Sequence, residues 1–207
     1  MMGQRVVVFD LGGVLIDWSP DHLYRSLIPS EPMRRQFLSE ICTREWNETM
    51  DAGRSFADGC NELVSRFPDW SAEIRAYDQR WAEMISGEIK QNVESLQFAS
   101  TLRGQSRLAG LYALSNWSSE KFPVAQARFS FLSLFDGLVV SGFEGVKKPD
   151  PQIYQILCAR YRFQPGDGLF IDDVQANLDA ASRLGFQTVL YQAGVDLKSE
   201  IRKWVEG

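Results

Sequence analysis

The chain of 207 residues is long enough for one large domain or a domain with an inserted smaller one. Its 44% hydrophobic and 24% charged residues are ordinary globular composition, so a sizeable core can form. The net charge of -5, with no long Lys/Arg run, argues against nucleic acid or an anionic membrane as a partner.

Residues 5–15, Arg-Val-Val-Val-Phe-Asp-Leu-Gly-Gly-Val-Leu, organise the rest of the chain. Residues 6–9 are a short, β-branched apolar run, which predicts a strand buried on both faces of a parallel sheet. The run ends in Asp10, where open α/β sheets place their chemistry. Gly12 and Gly13 then permit a tight turn and close approach of a ligand to main-chain N–H groups. This apolar run is too short for a membrane span and leads straight into a carboxylate, so neither a signal peptide nor a span is expected. Cys42, Cys60 and Cys158 are odd in number and widely spaced, which fits neither a disulfide framework nor a zinc site and suits a reducing, cytoplasmic setting. The lone histidine, His22, reads as a surface or packing residue.

Residues 17–87 show no convincing strand. Apolar residues recur at helical spacing, as at Phe56, Cys60, Leu63, Val64 and Phe67, and breakers fall at Ser19-Pro20, Pro29-Ser30, Gly53 and Phe67-Pro68-Asp69. Ser30, Ser55 and Asp69 are candidate helix starts. A bundle of about three to five helices, inserted after the first strand, would stand over the strand ends as a cap. Its aromatic residues Trp46, Phe56, Phe67, Trp70 and Trp81 read first as packing. At the turn around Gly53, Asp51 and Arg54 are candidates for substrate contact.

From residue 89 strands and helices alternate. Helices are expected over 89–102, 119–129, 150–161 and 175–184, the last closed by Gly185. Strands are expected over 107–114, 138–141, 168–171 and 187–191. The alternation argues for a doubly wound, Rossmann-like parallel sheet. The α/β core then comprises residues 1–16 and 88–207, and the helical cap residues 17–87.

Polar groups stand at three predicted strand ends: Asp10, Ser115-Asn116 and Asp172-Asp173. Lys148 precedes a helix in Lys147-Lys148-Pro149-Asp150. On one sheet edge these groups can converge. Three carboxylates repel one another unless a hard cation sits among them, and magnesium takes one or two carboxylates, a carbonyl, waters and a phosphate oxygen. Asp10 would keep an oxygen for attack, forming an aspartyl-phosphate. Lys148 would offset charge on nucleophile and phosphate, and Ser115 and Asn116 could donate to phosphate oxygens.

In these four segments the chain resembles the haloacid dehalogenase superfamily. They are Phe9-Asp10-Leu11-Gly12-Gly13-Val14-Leu15; Leu114-Ser115-Asn116; Lys148-Pro149-Asp150-Pro151; and Phe170-Ile171-Asp172-Asp173-Val174-Gln175-Ala176-Asn177. Within that superfamily it is most similar to the sugar-phosphate phosphatases, including the glucose-1-phosphate phosphatase-like group, and to the phosphatase domain of soluble epoxide hydrolase. The resemblance implies a magnesium-dependent hydrolase of small phosphorylated metabolites, acting as a monomer or homodimer. It makes Asp10 nucleophile and metal ligand, the Gly12 carbonyl a second ligand and Asp173 a direct ligand, with Asp172 beside it or behind it. It gives Ser115, Asn116 and Lys148, the lysine directly before the proline, to the phosphate.

One position departs from the pattern. Most phosphatases of the superfamily carry an acid/base Asp where this chain has Gly12, and a well-placed acid/base contributes roughly 100- to 10,000-fold. A catalytically weak binding relative is therefore one alternative. The other is a 2-haloacid dehalogenase, which needs no metal and for which Asp172-Asp173 is poor chemistry. Trp18 and Trp117, next to motif residues, read as packing that could also wall the site.

Overall fold

The predicted buried run is the centre of a five-stranded parallel sheet in the computed structural model, which describes residues 5–103 and 108–207. β1 (Arg5–Phe9) lies between β4 (Leu108–Ser115) and β6 (Gly168–Asp172), with Val8 in register with Tyr112 on one side and Phe170 on the other. Outside these run β5 (Gly137–Val140) and β7 (Gln187–Leu190), giving the order β5-β4-β1-β6-β7. Arg107, at the expected start of β4, lies outside the described residues.

Because side chains alternate along a strand, β1 feeds two cores. Val7 and Phe9 join Leu111, Ala113, Leu169 and Ile171 on one face. Val6 and Val8 join Leu114 and Phe170 on the other. The first face is covered by α6 (Lys90–Thr101), through Val93, Leu96 and Ala99, and by α11 (Leu197–Glu206), through Leu197, Ile201 and Val205. The second is covered by α9 (Pro151–Tyr161), with Ile153, Tyr154 and Leu157, and α10 (Gln175–Leu184), with Leu178 and Ala181. Asp150 starts α9 by accepting from the Gln152 N–H at 2.8 Å, and Gly185 ends α10 with φ +105°. The doubly wound α/β reading is correct.

Two findings depart from the expected elements. Residues 17–87 are not strand-free: β2 (Ile16–Trp18) and β3 (Ile85–Glu88) form an antiparallel ribbon that leaves and re-enters the sheet domain. Strands of three and four residues are too short for a visible apolar alternation. The chain also continues past the last strand into α11, whose signal is present in Leu197, Ile201 and Val205 at i, i+4, i+8 after Asp196, which accepts from the Ser199 N–H at 3.2 Å.

Five helices stand between the ribbon strands: α1 (Pro20–Leu27), α2 (Glu31–Glu40), α3 (Arg44–Asp51), α4 (Phe56–Arg66) and α5 (Ser71–Gln79). Ser55 caps α4 as expected, accepting from the Asp58 N–H at 3.0 Å, whereas Asp69 sits in a 3-10 turn and α5 begins at Ser71. Their core is aromatic: the Tyr24 and Phe37 rings lie 4.8 Å apart and those of Trp46 and Tyr77 4.9 Å apart, edge to face. The buried Tyr77 hydroxyl donates to Asn47 Oδ1 at 3.0 Å.

The helices are tied to the sheet's strand ends by polar contacts. Lys121, just before α7 (Phe122–Arg128), pairs with Asp78 at 2.5 Å, and the Arg128 guanidinium donates to the Ile85 carbonyl at 3.0 Å. Lys147, after α8 (Ser141–Glu144), pairs with Glu48 at 2.9 Å. No helix among the described residues is long and apolar enough to cross a membrane.

Since Ile201 is fully buried against the sheet, Ile201→Ala should cost about 2–5 kcal/mol of stability, read as a lower urea midpoint at unchanged slope. An unchanged midpoint would show that α11 is not part of the folding unit.

Candidate active site

The site begins where β1 stops. The Asp10 N–H donates to the Ile171 carbonyl at 2.8 Å, a last ladder bond that fixes the residue at the carboxyl edge of the sheet. Its Oδ1 accepts from the Leu11 N–H at 2.7 Å and from Lys148 Nζ at 2.9 Å. No donor among the described residues engages Oδ2. Burial pushes the Asp10 carboxyl up to about 7; Lys148 pulls the other way, and Asp172 and Asp173 add to the rise.

Lys148 is the joint of the site. Its side chain is 1% exposed, and Nζ reaches Asp172 Oδ2 at 2.7 Å and the Leu114 carbonyl at 2.8 Å as well as Asp10. One ammonium thus spends three donors on groups from β1, β6 and β4. Burial alone would lower its pKa, but Asp10 and Asp172 outweigh it and hold the group above its ordinary value. Lys147, the neighbour, points instead to Glu48.

Asp172 is saturated. Oδ1 accepts from the Val174 N–H at 2.8 Å and Asn177 Nδ2 at 3.0 Å, and Oδ2 accepts from Lys148 and, at 3.1 Å, again from Asn177. It therefore orients Lys148 and leaves the open carboxylate oxygens to Asp10 and Asp173. Asn177 was not among the expected site residues, although it stands one turn into the helix that follows the Asp pair. Asp173 is raised by partial burial and by Asp172.

Oxygen atoms of Asp10, Asp172 and Asp173 can lie within 4.8 Å of one another, an all-oxygen, anionic cluster of the kind magnesium takes. A Cβ on Gly13 would fall 2.3 Å from Asp173 Oδ2, so the backbone leaves the carboxylate room only because residue 13 has no side chain, and its φ of +76° favours glycine too. The residues fit the metal: Asp10 and Asp173 would ligate, with the Gly12 carbonyl on the same loop. Gly13 was expected to offer its N–H to phosphate. That N–H already donates to the Ile16 carbonyl at 2.9 Å, so the glycine serves by shape.

At the end of β4 the Ser115 hydroxyl is buried with no partner among the described residues. A buried hydroxyl left unpaired is costly, which is a reason to look for a ligand oxygen beside it. Asn116 is largely committed: its amide donates to the Lys148 carbonyl at 2.9 Å and accepts from the Lys148 N–H at 2.8 Å, clamping the lysine loop to β4 and leaving one N–H for a ligand.

These groups line a cavity of about 410 Å³, with Asp10, Gly12, Asn116, Lys148 and Asp173 on the sheet side. Arg44, Asn47, Glu48 and Asp51 of α3 line its other side. A small compartment beside Gly12 is walled by Trp18, Trp81 and Trp117, with Asn47 and Asp51. Asp51 thus reaches the site, whereas Arg54 does not: its Nη2 pairs with Glu62 at 2.6 Å and donates to the Asp58 carbonyl, along the flank of α4. A helix-capping turn places successive residues on different sides, and sequence spacing does not separate them. Asn47, a polar residue inside a packed helix, carries no local signal of its place in the site.

If Gly13 makes room for Asp173, Gly13→Ala should weaken magnesium binding about 10- to 100-fold, measured by calorimetric titration. Unchanged affinity would remove Asp173 from the ligand set.

The haloacid dehalogenase-like hydrolase family model matches residues 4–185. Sesquiterpene phosphatase astK of Aspergillus oryzae is 25% identical over 87% of this chain and 86% of its own length. Bifunctional epoxide hydrolase 2 of Sus scrofa is 33% identical over 91% of this chain, which spans only 36% of that protein. Among solved structures, the HAD family enzyme bt-2542 of Bacteroides thetaiotaomicron, in complex with magnesium and inorganic phosphate, superposes with a TM-score of 0.67 at 20% identity, covering 94% of this chain and 97% of that one, a likeness of fold. With its sheet order, strand-end carboxylates and family match together, the chain belongs to the haloacid dehalogenase-like hydrolases.

Proposed function

We propose that the chain is a magnesium-dependent phosphoric monoester hydrolase that moves the phosphoryl group of a small phosphorylated metabolite, a sugar phosphate being the best fit, onto Asp10. The observation that carries this reading is the edge cluster itself. Lys148 holds one oxygen of Asp10 and leaves the other unengaged, next to an acidic pair suited to a hard cation.

In the first step Asp10 Oδ2 attacks phosphorus and the ester oxygen leaves. Lys148, fixed by Asp172, opposes the rise that burial imposes on Asp10 and offsets charge as the phosphoryl group arrives. The Ser115 hydroxyl and the free Asn116 N–H donate to its oxygens. Magnesium held by Asp10, Asp173 and the Gly12 carbonyl would supply positive charge beside those oxygens. Water then cleaves the aspartyl-phosphate and restores Asp10.

The helices between β2 and β3 act as a cap in this reading, closing on the strand ends and excluding bulk water. Polar Asn47 and Asp51 beside three indoles suit a leaving group with hydroxyls and a short carbon frame.

The test is phosphate release from p-nitrophenyl phosphate, sugar phosphates and an isoprenyl phosphate, with magnesium and with EDTA. Release should require magnesium, fall to background in Asp10→Asn and rank sugar phosphates first. Isoprenyl phosphate ranking first would overturn the substrate class. Metal-independent halide release from 2-chloropropionate would replace the phosphatase with a dehalogenase, and magnesium binding without turnover would make the chain a binding relative.

A further inference from the structure

We propose that Asp51 is the proton donor and acceptor for the leaving group, acting from the end of α3 in place of the side chain that Gly12 lacks. The proposal rests on the phosphatase reading and adds to it a catalytic residue outside the four motifs.

The first support is position. Gly12 and Asp51 line the same small compartment, which opens on the cavity holding Asp10. A Cβ built on Gly12 meets nothing within 4 Å, so the space that an acid/base side chain would occupy from the β1 loop is open, and Asp51 of α3 lines the same compartment.

The second is that Asp51 is held there from the sheet. The Ser141 hydroxyl donates to the Asp51 carbonyl at 2.5 Å and accepts from the Trp117 N–H at 2.9 Å. This relay pins the last turn of α3 to the ends of β4 and β5, next to Ser115 and Asn116. A helix end fixed in this way can hold a side chain at a reacting atom.

The third is chemical state. The Asp51 carboxyl makes no ion pair among the described residues; Asn47 Nδ2 donates to Oδ2 at 3.1 Å. Burial and then Glu48, on the same helix, push it up to about 7, while Lys147 and the Ser118 N–H pull it down. Tyr77 of α5 also faces it, neutral because its own hydroxyl lies well above its ordinary value. Glu48 itself is tied to Arg44 and Lys147. A carboxyl poised near 7 can give and take a proton at neutral pH.

The protons balance over the cycle. As the bond from phosphorus to the ester oxygen breaks and the bond to Asp10 forms, protonated Asp51 gives its proton to the leaving oxygen. In the second step ionised Asp51 takes a proton from the attacking water, the bond from phosphorus to Asp10 breaks, and phosphate departs with Asp51 protonated again.

The test compares two leaving groups. The p-nitrophenolate ion needs no proton to leave, whereas the alkoxide of an alkyl phosphate does. With the best alkyl phosphate of the panel, Asp51→Asn should lower kcat by roughly 100- to 10,000-fold, yet keep the rapid-mixing burst of p-nitrophenolate. In the wild type, alkyl phosphate turnover should fall above about pH 7, where Asp51 loses its proton, and the burst should not. Equal losses on both substrates, no loss on either, or an alkyl profile flat across that range would overturn the assignment. So would a wild type that turns over p-nitrophenyl phosphate but no alkyl phosphate. Wild-type inactivity on every compound would instead overturn the phosphatase reading beneath it. The wild-type pH profile needs no variant, so a folding defect in Asp51→Asn leaves the test intact.

Discussion

A single buried ammonium holds this site together. Lys148 joins the ends of β1, β6 and β4 through Asp10, Asp172 and a main-chain carbonyl, and it does so with almost no exposure to water. Two carboxylates at such a depth repel each other and resist ionisation; a cation between them opposes both effects. Taking one partner from a buried ion pair typically costs about 3–5 kcal/mol, because the remaining charge is left without water or a counter-ion. The chain surrounds the lysine accordingly. Asn116 grips its main chain on both sides, and Asn177 fills the remaining valences of Asp172. Fold and chemistry meet in that arrangement: three parallel strands must end at one level for one side chain to reach all three.

Much of this was legible in the residues, for physical reasons. The run at residues 6–9 reads as a strand buried on both faces, and an Asp at the end of such a strand stands on the sheet's carboxyl edge. Asp172 and Asp173 belong at the end of β6 by the same logic. The features that escaped are set by tertiary contact. The ribbon of β2 and β3 is too short to show a period. Arg54 and Asp51 are three residues apart across a turn, yet one pairs with Glu62 and the other enters the cavity. The commitment of the Gly13 N–H to Ile16 depends on how the loop curls back, which no local pattern encodes. The last helix is different: it was not among the expected elements, yet its i, i+4, i+8 spacing is plain in the residues.

The docking of the helical segment explains why the site is a cavity and not an open edge. Its polar ties to the sheet are ion pairs and side-chain to main-chain bonds, Lys121 to Asp78, Lys147 to Glu48 and Arg128 to Ile85. Partly exposed pairs of this kind contribute little each, on the order of 1 kcal/mol or less. Apolar packing holds the segment as well: Tyr24, Phe37 and Tyr77 belong to the same buried cluster as Val7 and Phe9 of β1, and the Trp81 and Trp117 rings lie 5.5 Å apart. Shared packing and polar contacts together seat the segment over the strand ends.

The two glycines of the first loop show how differently one residue type can be required. At position 13 a side chain collides with Asp173 and the backbone is left-handed, so geometry demands glycine. At position 12 neither holds: φ is ordinary and a Cβ would project into free space. Packing therefore does not explain Gly12. A pocket that keeps open the space an acid could fill, while the end of α3 brings Asp51 to the same compartment, has moved the acid from the loop to the helical segment. The consequence is mechanistic. With the donor on the sheet, proton transfer is possible whether the helices are open or closed. With the donor on α3, the leaving group can be protonated only when the helices are seated, and chemistry becomes conditional on closure.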